Sequence, residues 1–437
     1  MNESKRPSET ELMDFAKQKL LDGPTELADG NRPGSLACLS VRFALEFNMD
    51  GTARDVAYAQ VERHMRLCVA ATTGFEKLVT LAGSEPLLAE AAYDLINKTQ
   101  TNAVWHLAHH SDLNCIDRGR RGELVAALIV MHARDAARGA SLINKRWITV
   151  ADFMKALLPP SDYEKLRISR PTFWRKEDDK PFEEIFQDYG MWFNHVIKIE
   201  DTKMISAENL WKFVTRGAMI LCTNNQEGID IVLPICDTTQ KLSRHSMTAI
   251  LIQVKNDDKF KKNLQKVLFD GMNPLKLGIF HKDRSSTRVT SKSTSTTPKT
   301  PKSTGNSVTP KPVIRLVFAL ASSEAEAGVI FRTRANADRK IYFDQFTAFD
   351  IWFAGLSSKT FRQIGKDSEP YRILLERSLR PHDAFELIDD PLVDKKAKEL
   401  RMSRRKRVAP LTFYMPEHEA IHRKDDQGRA SSTLPAN

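Results

Sequence analysis

The chain has 437 residues, 41 % of them hydrophobic, which is enough for two domains or for one large domain with extensions. Its formal charge of +10 favours an acidic partner such as nucleic acid, with much of the excess expected in tails and linkers. Five widely spaced cysteines without a CxxC pair suggest neither a disulfide framework nor a cysteine zinc site and fit a reducing compartment.

The charged start, MNESKRPSETELMDF, lacks a signal-peptide core, and no segment reaches the ~18 apolar residues of a membrane span. An intracellular protein of nucleus or cytoplasm, with no membrane partner, is expected. From about residue 10 to 168 apolar residues recur at helical spacing, as in ARDVAYAQVERHMRLCVAATTGFEKLVTLAG, so residues 1–168 read as a mainly helical N-terminal region. Its most apolar segment, 117–138 (DRGRRGELVAALIVMHARDAAR), is its last long helix and is expected to pack on the α/β region C-terminal to it. Three arginines crowd its start, although arginine normally favours the other end of a helix.

After the polar stretch RPTFWRKEDDKPFEE the periodicity changes. FNHVIKI reads as a strand, ENLWKFVTRGAMILC as a helix, GIDIVLPI and AILIQVKN as two strands, and DDKFKKNLQKVLFD as a further helix. Residues 281–312 hold 15 Ser or Thr, seven Lys or Arg and one acid, a composition that buries too little apolar surface to fold. IRLVFALAS and FDIWFAGLS then return to strand character, so this predicted disordered insertion interrupts one sheet. Residues 188–356 are thus expected to form an α/β core, followed by a helical extension at 357–410 with a basic run and a polar tail at 411–437.

The strand pair carries the chemistry. Alternate side chains of a strand share a face, so Gln253 and Lys255 project together while Ile252 and Val254 point the other way. The intervening turn, CDTTQKLSRHS, brings Asp230 of the preceding strand towards the same end if register permits. An acid, an amide oxygen and an ammonium would converge there. Phosphodiester hydrolysis uses such a set: oxygen ligands for a hard cation, and a lysine that positions water and offsets developing charge.

With Asp230 in GIDIVLPI and Gln253 and Lys255 in AILIQVKN, the segment resembles the PD-(D/E)xK, or restriction-endonuclease-like, nuclease superfamily. The resemblance covers about residues 188–356 and implies an α/β (α+β) mixed sheet flanked by helices. It also implies Mg²⁺ (or Mn²⁺) as cofactor, and nucleic acid, DNA before RNA, as substrate. Gln253 departs from the pattern, standing where an acid is usual; its amide oxygen can hold a cation but adds no charge. Two acids are candidates for the further carboxylate that family members carry on a helix before the sheet: Glu123 in RRGELVAAL, and Glu208 in SAENLWKFV as the alternative. The expected metal ligands are Asp230, Gln253 and Glu123, with Lys255 completing the catalytic set. The whole chain also resembles multicopy fungal families of unknown function, which assigns no residue a role.

The remaining motifs carry less. The basic run from Lys395 to Arg407 offers Arg404, Arg405, Lys406 and Arg407 as phosphate contacts or a nuclear-localisation signal, although such runs are most often solvated helix faces. HEAIH at 418–422 matches H-E-x-x-H but stands 15 residues from the C-terminus, where the polar RKDDQGRASSTLPAN is expected to offer no ordered chain for a third zinc ligand, and it reads as coincidence. His106, His109 and His110 read as ordinary histidines. A phosphate-loop pattern and a GxSxG elbow are absent. The competing reading is a catalytically inactive module that binds nucleic acid or protein on the same fold; a third places function in the helical region with the sheet as scaffold.

Overall fold

In a computed structural model of the chain the described residues are 7–379, except 46–51, 72–77, 100–102, 112–120, 140–146, 224–225, 258–259, 261–262, 281–309, 335–344 and 366–367. Residues 1–379 constitute one unit; residues 380–437 are a second and fall outside the described part. The first unit begins with helices α1 (Glu9–Leu21), α2 (Arg32–Phe43) and α3 (Thr52–Arg63), a hairpin β1 (Arg66–Ala71) and β2 (Leu78–Ala82), then α4 (Pro86–Asn97), α5 (Ala103–Ser111) and α6 (Arg121–Arg138). Next come β3 (Ile148–Thr149), α7 (Val150–Leu157), α8 (Pro160–Ile168), α9 (Phe182–Phe186), β4 (Tyr189–Met191), β5 (His195–Lys198), α10 (Ala207–Thr215) and β6 (Ala218–Leu221). The central strands are β7 (Ile231–Asp237) and β8 (Met247–Lys255). The unit closes with α11 (Lys266–Gly271), β9 (Val313–Ala319), β10 (Gly328–Phe331), β11 (Ala348–Ala354) and α12 (Glu369–Leu379).

This is a mixed α/β fold with a helical N-terminal region. Nine strands form one sheet in the order β10-β11-β9-β8-β7-β4-β3, with β6 pairing the other end of β7 and β5 pairing β6. The β8–β9 and β9–β11 pairs are parallel, whereas β7–β8 is antiparallel. Continuous apolar runs such as VIRLVFA in β9 and AFDIWFA in β11 are buried at every position because both faces of the sheet are covered. On one face Ile231, Leu233, Ile250, Ile252, Leu316 and Ile351 pack with the helical region, including Val125, Leu128 and Ile129 of α6. On the other, Val232, Leu251, Val317 and Trp352 pack with Leu210, Phe213 and Val214 of α10 and Phe269 of α11.

The N-terminal helices therefore share a core with the sheet, and β3 joins the sheet through β4. Two expected helices are corrected. Helical spacing over 66–82 gives way to the β1–β2 hairpin, entered through Met65 with φ of 58°. Arg66 anchors that hairpin by donating to Ser40 Oγ at 2.6 Å, Leu45 O at 2.8 Å and Thr80 Oγ1 at 2.8 Å, tertiary bonds that outweigh a weak local preference. Likewise ENLWKFVTRGAMILC splits into α10 and β6, because Gly217 turns the chain at φ of 63° against the Trp192 ring. Of the expected helix DDKFKKNLQKVLFD, only α11 is helical among the described residues. The predicted insertion, apart from residues 310–312, lies outside the described residues, as do the basic run with Arg404, Arg405, Lys406 and Arg407, HEAIH, and the side chains of His109 and His110.

Candidate active site at one end of the central sheet

Asp230 stands one residue before β7. The β7–β8 ladder pairs Ile231 with Ile252, and one step further it sets Asp230 opposite Gln253; the Asp230 N–H still donates to Ile252 O at 2.9 Å. Strand parity puts Asp230 on the face of Val232, and Gln253 and Lys255 on the face of Leu251, which is the same face. On the far side Cys222 donates its N–H to Asp230 O at 2.9 Å, so Cys222, Asp230 and Gln253 form a row across three chain segments. Gly228 determines how the chain enters this row. With φ of 88°, it lies so close to the α11 terminus that a Cβ would come 2.5 Å from Gly271 O, so only glycine fits.

The carboxylate of Asp230 accepts the Val254 N–H at 2.6 Å. Burial pushes its pKa above the usual carboxylate range, against the pull of that N–H and of the Lys255 charge. Lys255 is half-buried, its ammonium 5.8 Å from the centre of the Phe260 ring. It makes no salt bridge among the described residues, so its charge is not consumed by a fixed partner.

Gln253 is only 7 % exposed, and its Oε1 is buried with no hydrogen-bond donor among the described residues. An orphaned buried acceptor costs ~1–3 kcal/mol, so packing alone gives no reason for an amide here. Asn256, just past β8, has a second such acceptor in Oδ1.

The start of α6 reaches the same end of the sheet from its opposite face. Asn256 occupies the space over Gly122, where a Cβ would stand 1.3 Å from its Nδ2. Glu123 is the next residue. The buried Cys222 thiol is held well above its usual pKa first by burial and then by the negative charges of Asp230 and Glu123, which places both carboxylates in electrostatic range of one sulfur. Glu208 is elsewhere. It opens α10 and is ion-paired with Arg244 at 2.9 Å, next to the beginning of β8, on the exposed surface at the opposite end from Lys255. The expected alternative acid is therefore not brought to the Asp230 corner, whereas Glu123 is brought near it.

A group of three His, Cys, Asp or Glu side chains able to hold a metal ion is not present among the described residues. The donors that do fit a hard cation are carboxylate and amide oxygens, led by Asp230 and the unpartnered Gln253 Oε1. Sequence reasoning missed Cys222, Gly228, Gly122 and Asn256. Of these only Gly228, directly before IDIVLP, left a local signal.

Fold and site together describe a mixed α/β protein that gathers an acid, an amide and a lysine at one sheet end. The chain belongs to the family of the domain of unknown function DUF8736, whose model matches residues 30–267, more than half of its length. That span contains Glu123, Asp230, Gln253 and Lys255, and stops before β9 to β11. No curated protein and no solved structure matches the chain. No helix among the described residues is long and apolar enough to cross a membrane.

Proposed function

We propose that the protein is a metal-dependent phosphodiesterase acting on nucleic acid, DNA in preference to RNA, through a PD-(D/E)xK-like site. The observation that carries this reading is the pairing of Asp230 with Gln253, whose buried Oε1 has no donor among the described residues, on the face that also bears Lys255. Asp230 and Gln253 would hold Mg²⁺ or Mn²⁺, with Glu123 contributed by α6. Such a cation, when bound, supplies Lewis-acid polarisation of a phosphoryl oxygen and eases deprotonation of water. Lys255 orients the attacking water and offsets charge developing on the phosphate. The raised pKa of Asp230 fits a carboxylate whose ionised form awaits a positive partner.

The test is cleavage of plasmid DNA, linear DNA and RNA by the full chain with Mg²⁺, Mn²⁺ or chelator. Lys255→Ala and Asp230→Ala are expected to lower the rate by roughly 10²–10⁴-fold. Cleavage that persists unchanged in both variants would overturn the assignment. A second reading, binding without turnover, is favoured by the neutral amide at 253, which weakens cation binding. It predicts salt-sensitive retention of DNA by the full chain and no product in any divalent cation.

A further inference from the structure

Two amide acceptors flank Lys255, and the proposed function uses only one. Asn256 Oδ1 is buried and, like Gln253 Oε1, meets no donor among the described residues. A side chain that merely filled the space over Gly122 would do so more favourably as an aliphatic group of similar size, which brings no acceptor to desolvate. Asparagine at this position calls for a ligand that approaches the oxygen with positive charge or a proton. Two carboxylates stand at this end of the sheet beside the Lys255 ammonium: Glu123 follows Gly122 in α6, and its field together with that of Asp230 reaches the Cys222 thiol. Amide acceptors beside carboxylates are the donor set of a hard cation.

The position of Asn256 also ties two elements together. Its side chain fills the volume that any residue larger than glycine at 122 would need, so the Glu123-bearing start of α6 closes directly on the Lys255-bearing end of β8. Gln253 serves the face of β8 shared with Leu251, while Asn256 lies on the side from which α6 approaches.

We propose that Asn256 is a further cation-facing residue of this site, supplying an oxygen donor on the α6 side of β8 while Gln253 supplies one on the other. The proposal rests on the cation-site reading but does not require catalysis. It predicts that the cation is enclosed from both sides of the strand end, and that Gly122 is needed because it leaves Asn256 room to stay there.

Calorimetric titration of Mn²⁺ into the full chain tests this. Asn256→Ala is expected to weaken Mn²⁺ binding roughly tenfold or more, and Asn256→Asp to tighten it through added charge. Gly122→Ala, which displaces the Asn256 side chain while improving helix propensity, is expected to repeat the Asn256→Ala loss. In cation-free buffer Asn256→Leu should melt no lower than the wild type, whereas a purely structural asparagine would lose stability on that change. Wild-type affinity in both Asn256→Ala and Gly122→Ala, with binding still lost in Asp230→Ala, overturns the role of Asn256 and leaves the proposed function standing. Absence of Mn²⁺ binding by the wild type overturns both.

Discussion

Two aspartates of the same sheet, Asp350 buried and Asp230 half-buried, are treated in opposite ways. Asp350, in β11 and 2 % exposed, accepts from Arg315 Nε at 2.6 Å and Nη2 at 2.7 Å, and from Arg332 Nη1 at 3.3 Å. Arg315 also donates to Phe269 O at 2.8 Å, so this network holds α11 against β9 and is wedged among the rings of Phe173, Phe269 and Phe346. Asp230 has one backbone N–H and the field of a lysine it does not touch, and it stands opposite an amide oxygen with no donor among the described residues. A carboxylate whose partners are complete stabilises the fold. One left incomplete at a strand end beside other incomplete acceptors costs stability, and under the proposed function a bound cation would offset that cost.

The difference is measurable. The largest effect is expected at Asp350: Asp350→Ala leaves Arg315 buried without its carboxylate and should cost about 3–5 kcal/mol in urea unfolding of the full chain. A loss below about 1 kcal/mol, within the range of exposed pairs, would break the contrast. Asp237, at the other end of β7, sharpens it. Burial raises its pKa, but hydrogen bonds from Thr239 and Lys311 more than offset this and hold the carboxyl below the usual range. Its contribution is thus present above the unfolded value near 3.8 and lost as pH falls through the folded one. Asp237→Asn should cost about 1–2 kcal/mol at pH 7 and nothing at strongly acidic pH.

Asp230 should behave with the opposite sign. Its folded pKa lies above the unfolded value, so the fold favours the protonated form, and ionisation opposes folding as pH rises through the carboxylate range. Asp230→Asn, which keeps an acceptor for the Val254 N–H, is expected to melt above the wild type at pH 8, with the gap closing as pH falls towards 3.8. Divalent cation should narrow the gap at pH 8 by stabilising the wild type alone. A variant that melts lower at pH 8 would place Asp230 with Asp237 among the structural acids. The smallest effect is expected at Glu208, whose exposed pair with Arg244 is worth at most about 1 kcal/mol; Glu208→Gln should leave both stability and cation binding nearly unchanged.

Much of the sheet was legible in the sequence because continuous apolar runs, IVLPICD, MTAILIQVK, VIRLVFA and AFDIWFA, have only one economical place, the interior of a covered sheet. Strand parity likewise put Gln253 and Lys255 on one face without knowledge of any neighbour. What local pattern did not carry was set by distant contacts. The β1–β2 hairpin depends on Arg66 reaching Ser40 and Leu45, and the start of α6 is located by Asn256, which is remote in sequence from Gly122. Helical periodicity identified α6 but not which end of the sheet it would meet. Glu123 and Glu208 were therefore equal in kind as first-turn acids, and only the packing of α6 and α10 on opposite faces separated them.

Whether the Lys255 end of β8 takes up a divalent cation decides between a ligand site and a merely imperfect strand end. Titration calorimetry of Mg²⁺ and Mn²⁺ into the full chain, wild type beside Asp230→Ala, measures this. A cation site at Asp230 predicts heat of binding in the wild type that disappears on Asp230→Ala while the variant remains folded. Equal heat in both proteins, or none in either, would contradict it.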